Sequence, residues 1–335
     1  RHFKTLKKFW EAKDEQIKKL KLDTKTRENI IKFRNELSPR FYLEKVYEQG
    51  IRVVSSIDAD YPANLRQVSD CPPVLYYKGK LLPQDDLAIA VVGARYATAY
   101  GRQVTEKLVS QLVANKLTVV SGLARGIDSF AHKAALEAGG RTIAVLGSGV
   151  DLIYPPENKQ LSERIIENGA LVSEFPLGFP SVPSNFPARN RIISGLSLGV
   201  LVTEAAVDSG SLITAGCAAE QGREVFAVPG PIFGKMSEGT NKLLKEGVHP
   251  TTGATDILEV LNIDLKKQAE VSKEEKIVLK DLDQKKILEI LVRENMQIDA
   301  ISRESKLSAG KVSAALSLLE LKGLCKNYGN GVWGK

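Results

Sequence analysis

Six short apolar runs constrain this chain more than any other feature: Leu87–Val92, Leu117–Ser121, Thr142–Leu146, Leu171–Ser173, Val200–Thr203 and Val225–Val228. They do not alternate with polar residues. A strand with one face in water alternates, whereas a run that is apolar on both faces needs cover on both. The stretches between the runs are long enough for helices. The pattern therefore predicts an α/β fold, a parallel sheet with helices on both faces, from Asp86 to about Asn262.

The flanks read differently. Between Thr5 and Leu37, apolar positions such as Leu6, Phe9, Trp10, Ile17, Ile30 and Phe33 sit among many lysines, so residues 1–45 are expected to form a small basic helical domain. Its charged faces serve either a DNA backbone or solvent. Residues 51–83 mix short strand-like runs with turn formers and read as an extension packed on the sheet domain, which gives that domain the bounds 46–262. The Lys, Asp, Glu and Gln that follow Ile263 mark a linker over 263–282. The last segment, 283–335, shows three helical patterns and then a hairpin around Gly329-Asn330-Gly331, the order of a winged helix. Its third helix offers a DNA groove only Lys311 and small side chains, so DNA reading, partner binding and a structural role all stay open.

Charge bears on partners only when counted by segment. The net values are +6 for residues 1–50, +1 for 51–83, −3 for 84–262 and +3 for 263–335. A polyanion held by the slightly acidic middle would need locally placed arginines. Cys71, Cys217 and Cys325 are far apart without a C-x-x-C pair, which argues for a reducing compartment with neither a disulfide frame nor a zinc site. The chain opens Arg1-His2-Phe3-Lys4 with no apolar leader, and no run approaches the roughly 18–20 apolar residues of a membrane span. A cytoplasmic protein that lacks a few leading residues and has no membrane partner is the expectation.

Ligands of open parallel sheets sit off the carboxyl ends of the strands. Here those ends run into Gly93-Ala94-Arg95, Gly122-Leu123-Ala124-Arg125-Gly126-Ile127-Asp128, Gly147-Ser148-Gly149, and Glu204 with Asp208-Ser209-Gly210-Ser211 shortly after. Such turns before helices can offer backbone N–H groups to an anion. The stretch Phe186-Pro187-Ala188-Arg189-Asn190-Arg191-Ile192-Ile193 adds two guanidinium groups and an aromatic beside an expected helix start. Two readings stand. In one, Arg189 and Arg191 grip phosphates while Phe186 stacks on a base; in the other, the arginines pair with acids such as Glu174 or Glu204 and Phe186 is core.

Catalysis and cofactors find little support. No G-x-S-x-G elbow or G-x-x-x-x-G-K-[ST] loop is present, and His132 stands alone on an Ala-rich stretch as a packed or capping histidine. Asp128 and Glu204 are the best general-base candidates, with helix-start charge and arginine pairing as their structural alternatives. No catalytic residue, metal or cofactor is expected.

Taken in order, these motifs resemble a family. Val92-Gly93-Ala94-Arg95, Ser121–Asp128 with Ala131-His132, Ala144–Asp151 with Tyr154-Pro155, Ser173-Glu174-Phe175-Pro176, Phe186–Ile193, Glu204-Ala205, Ser209–Ala215 and Phe226-Ala227-Val228-Pro229-Gly230 are similar to the DprA (Smf) family over roughly residues 50–260. The resemblance implies an extended Rossmann domain between a truncated sterile-alpha-motif-like amino-terminal domain and a carboxy-terminal winged helix. It implies a homodimeric, non-enzymatic protein that binds single-stranded DNA and loads the RecA recombinase during natural transformation. The residues it points to are Gly93, Arg95, Gly122, Arg125, Gly149, Phe186, Arg189, Asn190, Arg191, Ser209, Gly210 and Ser211. Some members carry a lysine just before the Phe-Pro pair, where this chain has Ser184-Asn185. The rival is a nucleoside-monophosphate phosphoribohydrolase on the same fold, whose P-G-G-x-G-T-x-x-E signature is missing here.

Overall fold

The apolar runs form the strands expected of them. In the computed structural model, which describes residues 3, 5–263, 282–291, 295–321, 325–329 and 331–334, they are β3 (Ala88–Val92), β4 (Thr118–Ser121), β5 (Thr142–Val145), β6 (Gly169–Ser173), β7 (Gly199–Val202) and β8 (Glu224–Ala227). All are parallel, and every residue of β3 is buried. Ile89 pairs with Val119 on one side and Gly199 on the other.

Two strands on the amino-terminal side, β1 (Arg52–Ser55) and β2 (Val74–Gly79), extend this sheet, β2 antiparallel to β6 and β1 antiparallel to β2, and β9 (His249–Pro250) closes the far edge. The resulting order is β1-β2-β6-β5-β4-β3-β7-β8-β9, so the sheet is mixed and mostly parallel. The extension expected at 51–83 is thus two strands of the main sheet. It is anchored by the Tyr61 hydroxyl, which donates to the Pro72 carbonyl at 2.6 Å.

Helices cover both faces of the sheet. Those of the amino-terminal unit are, in chain order, α1 (Leu6–Trp10), α2 (Asp14–Lys18), α3 (Thr24–Glu36), α4 (Pro39–Glu48), α5 (Ala63–Arg66), α6 (Ala99–Ala114), α7 (Ile127–Glu137), α8 (Lys159–Asn168), α9 (Asn185–Gly195), α10 (Gly210–Glu220), α11 (Glu238–Lys245) and α12 (Ala254–Val260). One apolar cluster runs from Val54 and Leu65 through Val92 and Val120 to Ile192, Val200 and Ala218, tying the extension, the sheet and α9 into one core. Burial on this scale, at about 25 cal/mol per Å² of apolar surface, is the main force holding the layers together.

The chain divides into two compact units, Arg1–Leu261 and Asn262–Lys335. The second contains α13 (Leu282–Leu291), α14 (Ile298–Ser305), α15 (Ala309–Leu321) and a small antiparallel sheet of β10 (Met296–Gln297), β12 (Val332–Gly334) and β11 (Lys326–Gly329), in that order. Ile287, Leu291, Ile301, Val312, Leu316 and Trp333 make its core. This is the helix, helix, helix, hairpin arrangement of a winged helix. Lys311, at the exposed start of α15, lies 3.9 Å from Asp283. The expected linker at 263–282, apart from its two end residues, lies outside the described residues. Among the described residues no helix is long and apolar enough to cross a membrane.

Candidate single-strand cleft

The sheet reverses its winding between β3 and β7. The chain builds outward from β3 through β4, β5 and β6, then returns to place β7 on the other side. Crossovers that diverge in this way leave a crevice at the carboxyl ends of the strands. A cleft of about 510 Å³ opens there, lined by the turn after β3, the segment after β7 and the start of α9.

Close packing fixes the β3 turn. The Ala94 N–H donates to the Glu204 carbonyl at 2.7 Å and the Ile127 N–H donates to the Ala94 carbonyl at 3.1 Å, joining three turns. A Cβ on Gly93 would lie 2.6 Å from Ile127 Cγ1. On Gly126, whose φ is +73°, it would lie 2.2 Å from the Ala94 oxygen. Gly93 thus makes room for the Ile127 side chain and the Glu204 carbonyl, and Gly126 lets backbone meet backbone. From this base the Arg95 side chain emerges into solvent, its guanidinium 5.6 Å from the centre of the Phe186 ring. No acidic side chain pairs with it among the described residues, whereas Arg125, Arg141 and Arg191 all have such partners.

Phe186 lies just inside the helix, not just before it as expected. Asn185 buries its side chain, donating to the Gly147 carbonyl at 2.8 Å, so α9 begins at Asn185 and Phe186 sits in its first turn instead of before it. Pro187 suits that turn because its missing N–H has no partner to lose. The half-buried Phe186 ring lies against Tyr154, centroids 5.7 Å apart, and is flanked by two cations, Arg95 above and Arg189 at 6.0 Å.

Arg189 is only 4% exposed. Its Nη1 donates to the Gly122 carbonyl at 2.7 Å and also to the Val145 carbonyl. A Cβ on Gly122 would come within 2.6 Å of both terminal nitrogens, so that glycine makes room for the guanidinium. Burial pushes the Arg189 pKa down to about 10, opposed by nearby Asp128, so the side chain stays charged at neutral pH. Asp128 accepts from the Gly122 N–H at 3.1 Å and the Ala124 N–H at 3.4 Å; burial raises its pKa against the pull of Arg189. Glu204 is likewise committed, accepting from the Thr98 N–H at 2.8 Å and the Thr98 hydroxyl at 2.6 Å. The two general-base candidates therefore hold turns together.

Opposite Phe186, the start of α10 faces the cleft. The Ser209 hydroxyl caps it, accepting from the Ser211 N–H at 3.4 Å and lying 2.8 Å from the Ser211 hydroxyl, and nothing lies within 4 Å of where a Gly210 side chain would be. Asn190 spans the cleft floor, donating to the Gly210 carbonyl at 3.3 Å. Such an open helix start favours anions.

Of the residues singled out in the sequence, Gly93, Arg95, Phe186, Arg189, Asn190, Ser209, Gly210 and Ser211 line this cleft, and Gly122, Arg125, Gly149 and Arg191 do not. Gly122 lies beneath Arg189. Arg125 is half exposed and pairs with Glu157. The Gly149 N–H donates to the Phe179 carbonyl at 2.9 Å. Arg191, two residues along the helix from Arg189, points away from the cleft, its Nη2 2.5 Å from Glu174 and its Nε 3.3 Å from Asp70; this is the acid pairing held open above. Tyr96 (82% exposed) and Met236 line the cleft without having been singled out, as does Asp208, named above only as part of its turn. Tyr96 follows Arg95 and was within reach of the sequence argument, but nothing along the chain brings Met236 to this edge. No metal-holding cluster of His, Cys, Asp or Glu occurs among the described residues.

Fold and site together define a class: a Rossmann-like α/β protein with a cationic, aromatic-bearing cleft at its switch point, followed by a winged helix. The model of DNA recombination-mediator protein A matches residues 52–262 and the DprA winged helix domain matches residues 271–331. The chain belongs to this DprA (Smf) family. Protein Smf of Synechocystis is 38% identical, covering 96% of this chain and 90% of its own. The structure of DNA processing protein A from Streptococcus pneumoniae superposes with a TM-score of 0.66 at 39% identity, over 73% of this chain and 85% of that one. DNA processing protein A from Helicobacter pylori, solved to explain its single-stranded DNA binding mode, gives 0.56 at 31% identity, over 65% and 96%.

Proposed function

We propose that this protein binds single-stranded DNA in the β3–β7 cleft without reading sequence, and acts as a homodimeric recombination mediator that passes the strand to RecA recombinase in the cytoplasm. The observation that carries the reading is the pairing of Arg95, an exposed guanidinium with no acidic partner among the described residues, with the Phe186 ring beside it. A phosphate on Arg95 and a base against Phe186 is the sequence-tolerant combination of single-strand binders, since every base has a π-face. The Ser209–Ser211 helix start supplies a second anion position across the cleft. The single-strand binding mode of the Helicobacter pylori relative supports the ligand, and the family's mediator description supports the hand-over.

The reading includes no catalytic turnover. Asp128 and Glu204 are spent on backbone N–H groups and Thr98, which leaves neither placed to activate water.

Fluorescence-anisotropy titration of a labelled oligo-dT against the matching duplex tests it. The single strand should bind more tightly. Arg95→Ala should weaken it about tenfold for any sequence and lower the salt slope by about 0.7. Equal affinity and slope in wild type and variant would refute the assignment.

A further inference from the structure

The cleft does not end at Phe186. Tyr154, from the loop after β5, lies tilted against it with ring planes inclined at 45° and is itself 45% exposed. Beyond Tyr154 lies Arg125 at the tip of the β4–α7 turn, its guanidinium paired with Glu157 and both side chains about half in solvent. The Tyr154 hydroxyl also touches Arg125. Aromatic, aromatic and cation thus follow one another out of the cleft on one side. On the other side of the cleft an exposed carboxylate, Asp208, stands beside the Ser209–Ser211 helix start.

We propose that Tyr154 and Arg125 form a second nucleotide position outside the cleft, with a base stacked on Tyr154 and a phosphate on Arg125, so that a bound single strand leaves over the β4–α7 turn. This rests on the single-strand reading of the cleft and assigns the strand its path. Glu157 competes for Arg125, but an exposed pair of this kind is weak and yields to a phosphate.

The test is a ladder of oligo-dT from about 4 to about 16 nucleotides, the span of site sizes for single-strand grooves, titrated against wild type, Tyr154→Ala, Tyr154→Phe, Glu157→Gln and Arg95→Ala. Tyr154→Ala should lose about tenfold with the long strands and nothing with the shortest, and Tyr154→Phe should restore the loss. Glu157→Gln should tighten only the long strands and steepen their salt slope, and at its exposed site it decides the matter if Tyr154→Ala does not fold. Arg95→Ala should weaken every length. If Tyr154→Ala and Glu157→Gln keep the wild-type ratio of long to short affinity while Arg95→Ala still weakens both, the second position is overturned and the cleft stands. If Arg95→Ala changes nothing at any length, both fall.

Discussion

His132 should make this protein lose stability as the medium turns mildly acidic. The ring is fully buried on α7. Its Nδ1 lies 2.6 Å from the Thr142 hydroxyl oxygen, and that hydroxyl donates its one proton to the Val119 carbonyl at 2.8 Å. Nδ1 must therefore carry the proton and donate, which leaves Nε2 bare, buried and without a partner. Protonating Nε2 would put a second buried cation near Arg189. Burial, and then Arg189, push the His132 pKa down to about 3 from its ordinary 6.5.

The direction follows from proton counting. Between these values the unfolded chain holds a proton that the folded chain refuses, so stability is complete above the unfolded pKa and falls as pH drops through the window. At about pH 5 the loss relative to neutral pH is about 2 kcal/mol, and because pH 5 lies above the folded value, it depends almost wholly on the unfolded one. Asp128 acts in the opposite sense, since burial raises its pKa, so the measurement must isolate the histidine. His132→Asn does so: its amide can donate to Thr142 and does not titrate. Urea denaturation of both proteins from about pH 5 to 8 should show the wild type losing about 2 kcal/mol more than the variant. Parallel profiles would refute the argument.

Two further expectations come from the same geometry. Gly126→Ala adds a methyl 2.2 Å from the Ala94 oxygen at a φ of +73°, so it should cost about 3 kcal/mol or more, read as a fall in the urea midpoint. Arg191→Ala should cost about 1–3 kcal/mol by leaving Glu174, only 18% exposed, without its partner, yet leave oligo-dT affinity within about twofold. An equal loss of affinity would return Arg191 to the cleft.

How far the sequence could be read follows from what each signal measures. Unbroken apolar runs report burial on both faces, so β3 to β8 were legible to within a residue or two at most ends. Glycines in the strand-end turns pointed to the right edge for a partly different reason: Gly93, Gly122 and Gly126 make room for Ile127, Arg189 and the Ala94 carbonyl, while Gly210 alone is open. Arg189 and Arg191, two positions apart on a helix, had to face different ways. Which one faced the sheet could not be known until Glu174 and Asp70, distant in sequence, were placed beside Arg191. Met236 reached the cleft through the same kind of long-range closure.

The burial of Arg189 sets how the cleft answers to salt. A surface arginine that takes a phosphate releases a condensed ion from the strand and pays for that pairing in ionic strength. Arg189 is walled off by carbonyls and by the Phe186 ring, and a charge so buried is screened less than one in water. Its field, offset in part by nearby Asp128, loses less to salt than that of the exposed Arg95. Part of the attraction for a polyanion is thereby built into the protein floor, and should persist in brine that strips away the contribution of Arg95.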